Sequence, residues 1–165
     1  MELVDTAEIC VTVENPHSEI ATRLIKNLST ELGACYGDDG AGAFRPEDVQ
    51  VPGGAFVVAW LGEQPVGCGA LRPLERDVAE VKRMFVEKDA RRQGVARRIL
   101  EQLESIGAQF GYRALRLETG ILQPEAMRLY ESAGYRRVRC YGRYVDNPLS
   151  VCYEKQLSHQ DLLWE

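Results

Sequence analysis

The chain has 165 residues, 45% of them hydrophobic and 27% charged, with a formal net charge of -5 at pH 7. That length and balance describe a single soluble domain over residues 1–165, large enough to bury a core without staples. The acidic balance argues against nucleic acid or an anionic membrane as partner. The longest apolar run, Ala55–Leu61, is far short of the roughly 20 residues of a membrane span. Met1 to Cys10 carries three acids and no basic residue, which does not fit a signal peptide. Five cysteines without a CxxC pair read as reduced thiols, so a cytoplasmic location is expected. With only His17 and His159 available, no metal site is expected.

In chain order, Ile9–Glu14 reads as a strand. Asn15-Pro16 then resembles a helix cap followed by proline at the first helical position. Ile20, Leu24, Leu28 and Leu32 recur every four residues and predict an amphipathic helix to about Leu32. Residues 37–54, rich in Gly, Asp and Pro, read as a loop with a helical turn near Pro46–Val49. It is either a cover for a site or a simple connector. Ala55–Leu61 and Val66–Leu71 form a predicted hairpin across Gly62-Glu63-Gln64-Pro65. A third strand runs over Val78–Val86, where the alternation fails at Lys82-Arg83. That break means a bulge, or a strand covered on both faces at its end. Gly94–Phe110 is the clearest helix, with Val95, Ile99, Leu103 and Ile106 on one face and Gly111 ending it. Leu115–Glu118 is a strand, Pro124–Ala133 a helix, and Tyr135–Cys140 and Val151–Lys155 are closing strands. The tail, His159–Glu165, reads as a frayed turn.

The chemistry is concentrated where the third strand ends. Val81-Lys82-Arg83-Met84-Phe85-Val86 is followed by Arg91-Arg92-Gln93-Gly94-Val95-Ala96, which opens the long helix. The first amides of a helix have no internal acceptor, and its dipole places partial positive charge there. Gly94 lets an anion approach the backbone, and Arg91 and Arg92 supply charge. The combination suits a phosphate or pyrophosphate; the alternative is a solvated basic turn before an ordinary helix. Neither a P-loop nor a dinucleotide glycine pattern is present.

Arg91-x-x-Gly94-x-Ala96, after that strand and before that helix, resembles the signature of the GNAT superfamily of N-acetyltransferases. Leu117-Glu118-Thr119-Gly120 and Ala126-Met127-Arg128-Leu129-Tyr130-Glu131, followed by Gly134-Tyr135, resemble the family's second segment. The likeness covers roughly 55–155 and extends to small bacterial acetyltransferases. It implies a mixed α/β fold, with a mostly antiparallel sheet of six to seven strands flanked by about four helices. It implies acetyl-CoA as co-substrate and a small-molecule amine as acceptor, attacked directly in a ternary complex. Backbone groups of Met84, Phe85 and Val86 would pair with the pantetheine arm, and one of their amides would face the oxyanion. Arg91, Arg92, Gln93, Gly94, Val95 and Ala96 would hold the pyrophosphate. Gln123 stands where the family often has Asn against the pantetheine. Tyr130 would be the acid that protonates the thiol, or simply a core residue. Glu80 would be the base, or a strand acid paired with Lys82, with Glu118 as the second candidate. Arg72, Arg45 and the loop from Tyr141 to Asn147 are candidates for an acceptor pocket that favours a carboxylate-bearing amine. A protein that holds acyl-CoA without turnover, or one that acetylates protein lysines or N-termini, are the alternative readings. A monomer or homodimer fits either.

Overall fold

Ala55–Leu61 is apolar at nearly every position because both faces of that strand are covered. Val57 and Ala59 join a cluster with Ile99 and Leu103, while Phe56 and Val58 join one with Leu24 and Leu28. The sheet therefore sits between two helical layers, and each layer closes its own core.

The computed structural model describes residues 8–38, 42 and 44–157. Its strands are β1 Ile9–Val13, β2 Ala55–Leu61, β3 Gln64–Glu75, β4 Val78–Val86, β5 Ala114–Gly120, β6 Arg136–Val138 and β7 Ser150–Gln156. They form one sheet in the order β1-β2-β3-β4-β5-β7-β6, antiparallel at every pair except β4–β5. Three helices, α1 Glu19–Tyr36, α2 Val95–Gln109 and α3 Pro124–Ser132, lie among the described residues. The resemblance implies about four helices; beyond these three the structure has single 3-10 turns at Pro46–Val49, Lys88–Ala90 and Gly142–Tyr144. The predicted turn over His159–Glu165 lies outside the described residues.

Helix α1 begins later than the Asn15-Pro16 signal implies. Ser18 is the cap, its hydroxyl accepting from the Ala21 amide at 3.1 Å. Asn15 shapes the preceding turn instead, its side chain accepting from the His17 amide at 2.8 Å. The helix also runs past Leu32 to Tyr36 and stops at Gly37, which takes a left-handed φ of 74°.

Helix α2 lies close to the sheet because β3 gives it room. A Cβ built on Gly69 would sit 2.7 Å from Ile99 Cγ2 and 3.0 Å from both Leu103 Cδ1 and Met84 Sδ. The absent side chain lets Ile99 and Leu103 drop onto the strand, which sets where the start of α2 stands relative to the end of β4.

Candidate active site

Strands β4 and β5 pair over three positions only: Val78 with Ala114, Ala79 with Leu115 and Glu80 with Arg116. Beyond them β5 stays paired with β7 as far as Gly120, whereas the β5-facing edge of β4 from Val81 to Val86 has no strand partner. A bulge in β4 accompanies the parting. Lys82 pairs with Ala70 and Phe85 with Cys68, so two residues of β4, Arg83 and Met84, oppose the single Gly69. Arg83 takes a φ of 55° there. The break in alternation at Lys82-Arg83 is this bulge, which bends the strand and frees its edge. A cleft of about 360 Å³ opens between the parted strands, lined among others by Lys82, Met84, Glu118, Gln123 and Tyr130. A larger hollow of about 640 Å³ lies at the far edge, between Cys10 on β1 and Arg98 on α2. It contains none of the residues that the motifs single out.

Past β4 the chain makes the turn at Lys88–Ala90 and enters α2. Arg92 has a φ of 65° and Gly94 one of 84°, an alternation that builds concave arrays of amides. Among the described residues the backbone bonds of this turn are Ala90 N to Glu87 O at 2.9 Å, Arg91 N to Lys88 O at 3.3 Å and Arg98 N to Gly94 O at 3.1 Å. The amides of residues 92–97 meet no protein acceptor there, and Gly94 has open space around the position of a Cβ. The turn thus presents free donors at the positive end of a 15-residue helix. Arg91 does not add its side chain to them. Its Nε donates to Val86 O at 2.9 Å and its Nη2 to Glu31 Oε2 at 2.7 Å, so it clamps the end of β4 to α1. Arg92 is exposed, and among the described residues its one ion pair is a loose 3.8 Å contact with Glu125.

Two carboxylates on neighbouring strands have opposite surroundings. Glu80 is fully buried; its Oε1 accepts from Arg72 Nε at 2.9 Å and its Oε2 from the Tyr141 hydroxyl at 2.6 Å. Arg72 also reaches Asp48 at 3.0 Å. Both oxygens of Glu80 are thus engaged in a structural knot outside the cleft lining, and Arg72 is held there with it. Arg45 is exposed, and its backbone amide bonds Asp48. Glu118 lines the cleft, and burial pushes its carboxyl up to about 7 even though Lys82 and Arg143 pull it down. Lys82, which donates to the Tyr144 hydroxyl at 2.5 Å, is pushed below its ordinary value by burial.

Tyr130, on α3, is 5% exposed and packs against Tyr135 and Tyr153 with ring centres 5.9 and 6.0 Å away. Its ring belongs to the core, yet the residue also lines the cleft, and its hydroxyl makes no hydrogen bond among the described residues. Burial, and after it Glu118, raises its pKa. Gln123, just before α3, accepts from the Thr119 hydroxyl and the Gly120 amide, each at 3.3 Å, and from the Tyr36 hydroxyl at 3.4 Å.

An open β4 edge leading into a free-amide helix start is the arrangement that the sequence motifs imply. The family model for the acetyltransferase (GNAT) family matches residues 21–135. The chain belongs to this family. It is 34% identical over 150 residues to an IAA acetyltransferase of Azospirillum brasilense, a match covering 90% of this chain and 98% of that protein. Its fold matches a Klebsiella pneumoniae protein described as an acyl-CoA N-acyltransferase, with a TM-score of 0.77 and 29% identity over 92% of this chain and 99% of the other. A GNAT acetyltransferase of Elizabethkingia anophelis with acetyl-CoA bound matches at a TM-score of 0.67 and 18% identity, covering 93% of this chain and 99% of that one. The chain is therefore an acetyltransferase of GNAT fold.

In this GNAT chain the parted strands gather Met84, Gln123 and Tyr130 in one cleft, and the turn over Arg91–Ala96 lies just past the end of β4. Glu80, Arg72 and Arg45 lie outside the cleft lining. Lys82 and Arg143 are cleft residues that motif reading does not single out. The only signals for them are the failed alternation at Lys82 and the inclusion of Arg143 in the loop from Tyr141 to Asn147.

Proposed function

We propose that this acetyltransferase moves an acetyl group from acetyl-CoA to the amine of a small molecule, by direct attack within a ternary complex. The observation that carries this reading is the unpartnered β4 edge leading to the free amides of residues 92–97, with Glu118 and Tyr130 lining the same cleft. The residues fit the coenzyme. The start of α2, with the exposed Arg92, holds the pyrophosphate, and the backbone of Met84 to Val86 pairs with the pantetheine arm as an added strand would. Gln123 borders that arm. The bound thioester supplies the activated acyl group.

The chain's own groups then manage protons and charge. Glu118, rather than Glu80, accepts a proton from the incoming ammonium, since its carboxyl sits near neutral pH and faces the cleft. The freed amine attacks the thioester carbonyl, and an amide at the β4 bulge, at Met84 or Phe85, stabilises the developing oxyanion. The C–S bond breaks as the C–N bond completes, and the second amine proton ends on the sulfur. Tyr130 gives a hydrogen bond to that sulfur. A phenol held above its ordinary pKa keeps its own proton until one from the nitrogen can replace it, so it acts as a relay. The acceptor in this reading carries a carboxylate, because cations line the cleft beside Glu118.

Free-thiol release from acetyl-CoA in a mixed pool of small amines tests the proposal. Wild-type protein should release thiol only when amine is present, and Tyr130→Phe should lower kcat by about 100-fold or more with acetyl-CoA binding retained. Tight coenzyme binding with no amine-dependent release would leave a binding protein and refute the transferase reading.

A further inference from the structure

The cleft wall describes the acceptor in two parts. The first part is anionic. Among the described residues Arg72, Arg91 and Arg116 are each satisfied by a glutamate, at 2.8, 2.7 and 2.6 Å. Lys82 and Arg143 line the cleft, and neither is within ion-pair distance of any described carboxylate. Lys82 spends one of its three donors on the Tyr144 hydroxyl. Among the described residues the cleft wall has three cations, Lys82, Arg83 and Arg143, against two carboxylates, Asp38 and Glu118. When Glu118 takes up a proton the balance shifts further toward positive. A carboxylate placed there would also restore to Lys82 the solvation that burial removes.

The second part is apolar. The large apolar side chains exposed among the described residues number seven, and four of them, Ile121, Leu122, Val145 and Leu149, come from two loops at one end of the cleft. Those loops are joined side by side, the Ile121 amide donating to Leu149 O at 2.8 Å, and Leu149 itself lines the cleft. Single exposed apolar residues are ordinary; these four lie on loops that border the cleft, and Leu149 among them is part of its wall.

We propose that the acceptor is an α-amino acid with an apolar side chain, its carboxylate held by Lys82 and Arg143 and its side chain resting on the rim around Leu149. The proposal rests on the acetyl-transfer reading above. Lys82 and Met84 flank the bulged Arg83 of β4, and both line the cleft. A carboxylate held by Lys82 would share one cleft with a thioester paired along Met84, as an amine and a carboxylate on one carbon require. Charge and apolar contact then select different ends of the same molecule.

Thiol release should be followed with acetyl-CoA and leucine, phenylalanine, leucinamide, 3-methylbutylamine, serine, aspartate or spermidine as acceptor. Leucine or phenylalanine should exceed leucinamide, 3-methylbutylamine and serine by about 10-fold or more in kcat/KM. Arg143→Gln should raise KM for leucine by about 10-fold more than KM for leucinamide, both read at a pH above about 8, where Glu118 is ionised. Leu149→Ser should narrow the preference for leucine over serine. Preference for the amide, for aspartate or for spermidine overturns the assignment while leaving the transferase reading in place, as does an equal loss for leucine and leucinamide in Arg143→Gln. Coenzyme binding with no release for any amine defeats both.

Discussion

Glu80 and Glu118 are one strand apart, both acidic, and plausible bases on sequence grounds alike. What separates them is the company each keeps. Glu80 meets Tyr141, 61 residues away, and Arg72, eight away, and no local pattern reports either contact. Glu118 faces Lys82, Arg143 and Ser150, yet burial outweighs them and pushes its carboxyl up to about 7. Its proton must leave before it can act as base. The rate of acetyl transfer should accordingly rise with pH through about 7 and then level, and Glu118→Gln should flatten that rise and lower kcat. The same group has a stability signature. Its folded value, about 7, lies above its ordinary 4.5, so the folded chain holds this proton more tightly than the unfolded chain. The stabilisation is fully present below about 4.5 and is lost as pH rises to about 7. Glu118→Gln, which cannot ionise, should therefore melt higher than wild type at pH 8 and close to it at pH 4.5. A melting difference independent of pH would show that Glu118 is solvated like an ordinary surface acid. Arg91 carries a similar lesson: it stands in the motif, and the structure uses its side chain to clamp β4 to α1 while the motif's backbone does the presenting.

Helices and strands were legible to the extent that their own periodicity decided them. β2 and β4 have the bounds that their apolar runs imply, and α2 differs by a residue at each end. β3 is longer than its apolar stretch because its outer turn, through Arg72 and Glu75, continues pairing with β4 on charged residues. The start of α1 is misread because two cap signals, Asn15-Pro16 and Ser18, follow one another, and only the chain's path settles which one caps. The placement of α2 depends on a missing side chain, which periodicity does not register. Gly69→Ala should force Ile99, Leu103 and Met84 to shift, since each lies within 3.0 Å of the added Cβ. Overpacking of this kind costs about 1–3 kcal/mol. Urea denaturation should show a lower midpoint with an unchanged slope, and coenzyme affinity should fall as the start of α2 moves away from β4. An unchanged midpoint would mean that the α2 contact is loose enough to absorb a methyl group.

Across the whole molecule, motif order was sufficient to indicate a mixed sheet with one basic strand-turn-helix crossover, because each motif fixes a strand, a turn and a helix in sequence. The strand order, the three-pair contact between β4 and β5, and the cations that meet across the cleft depend on pairings between distant segments, which no single window contains. Those pairings produce the functional feature. Ending the β4–β5 contact at Glu80 opens a cleft, and the bulge and the short turn that follow deliver the chain to a helix whose first amides have no protein acceptor among the described residues. That an anion is gripped by those amides is the central claim, and coenzyme A titrated calorimetrically into wild type and Gly94→Glu tests it most directly. Gly94 has open space around it, so the glutamate meets no clash and adds negative charge at the grip together with the modest strain of a left-handed φ. Circular dichroism should show the fold retained, and the Kd for coenzyme A should rise by about 100-fold or more, a loss of about 2.7 kcal/mol. A folded Gly94→Glu protein that binds coenzyme A with the wild-type Kd would contradict the account.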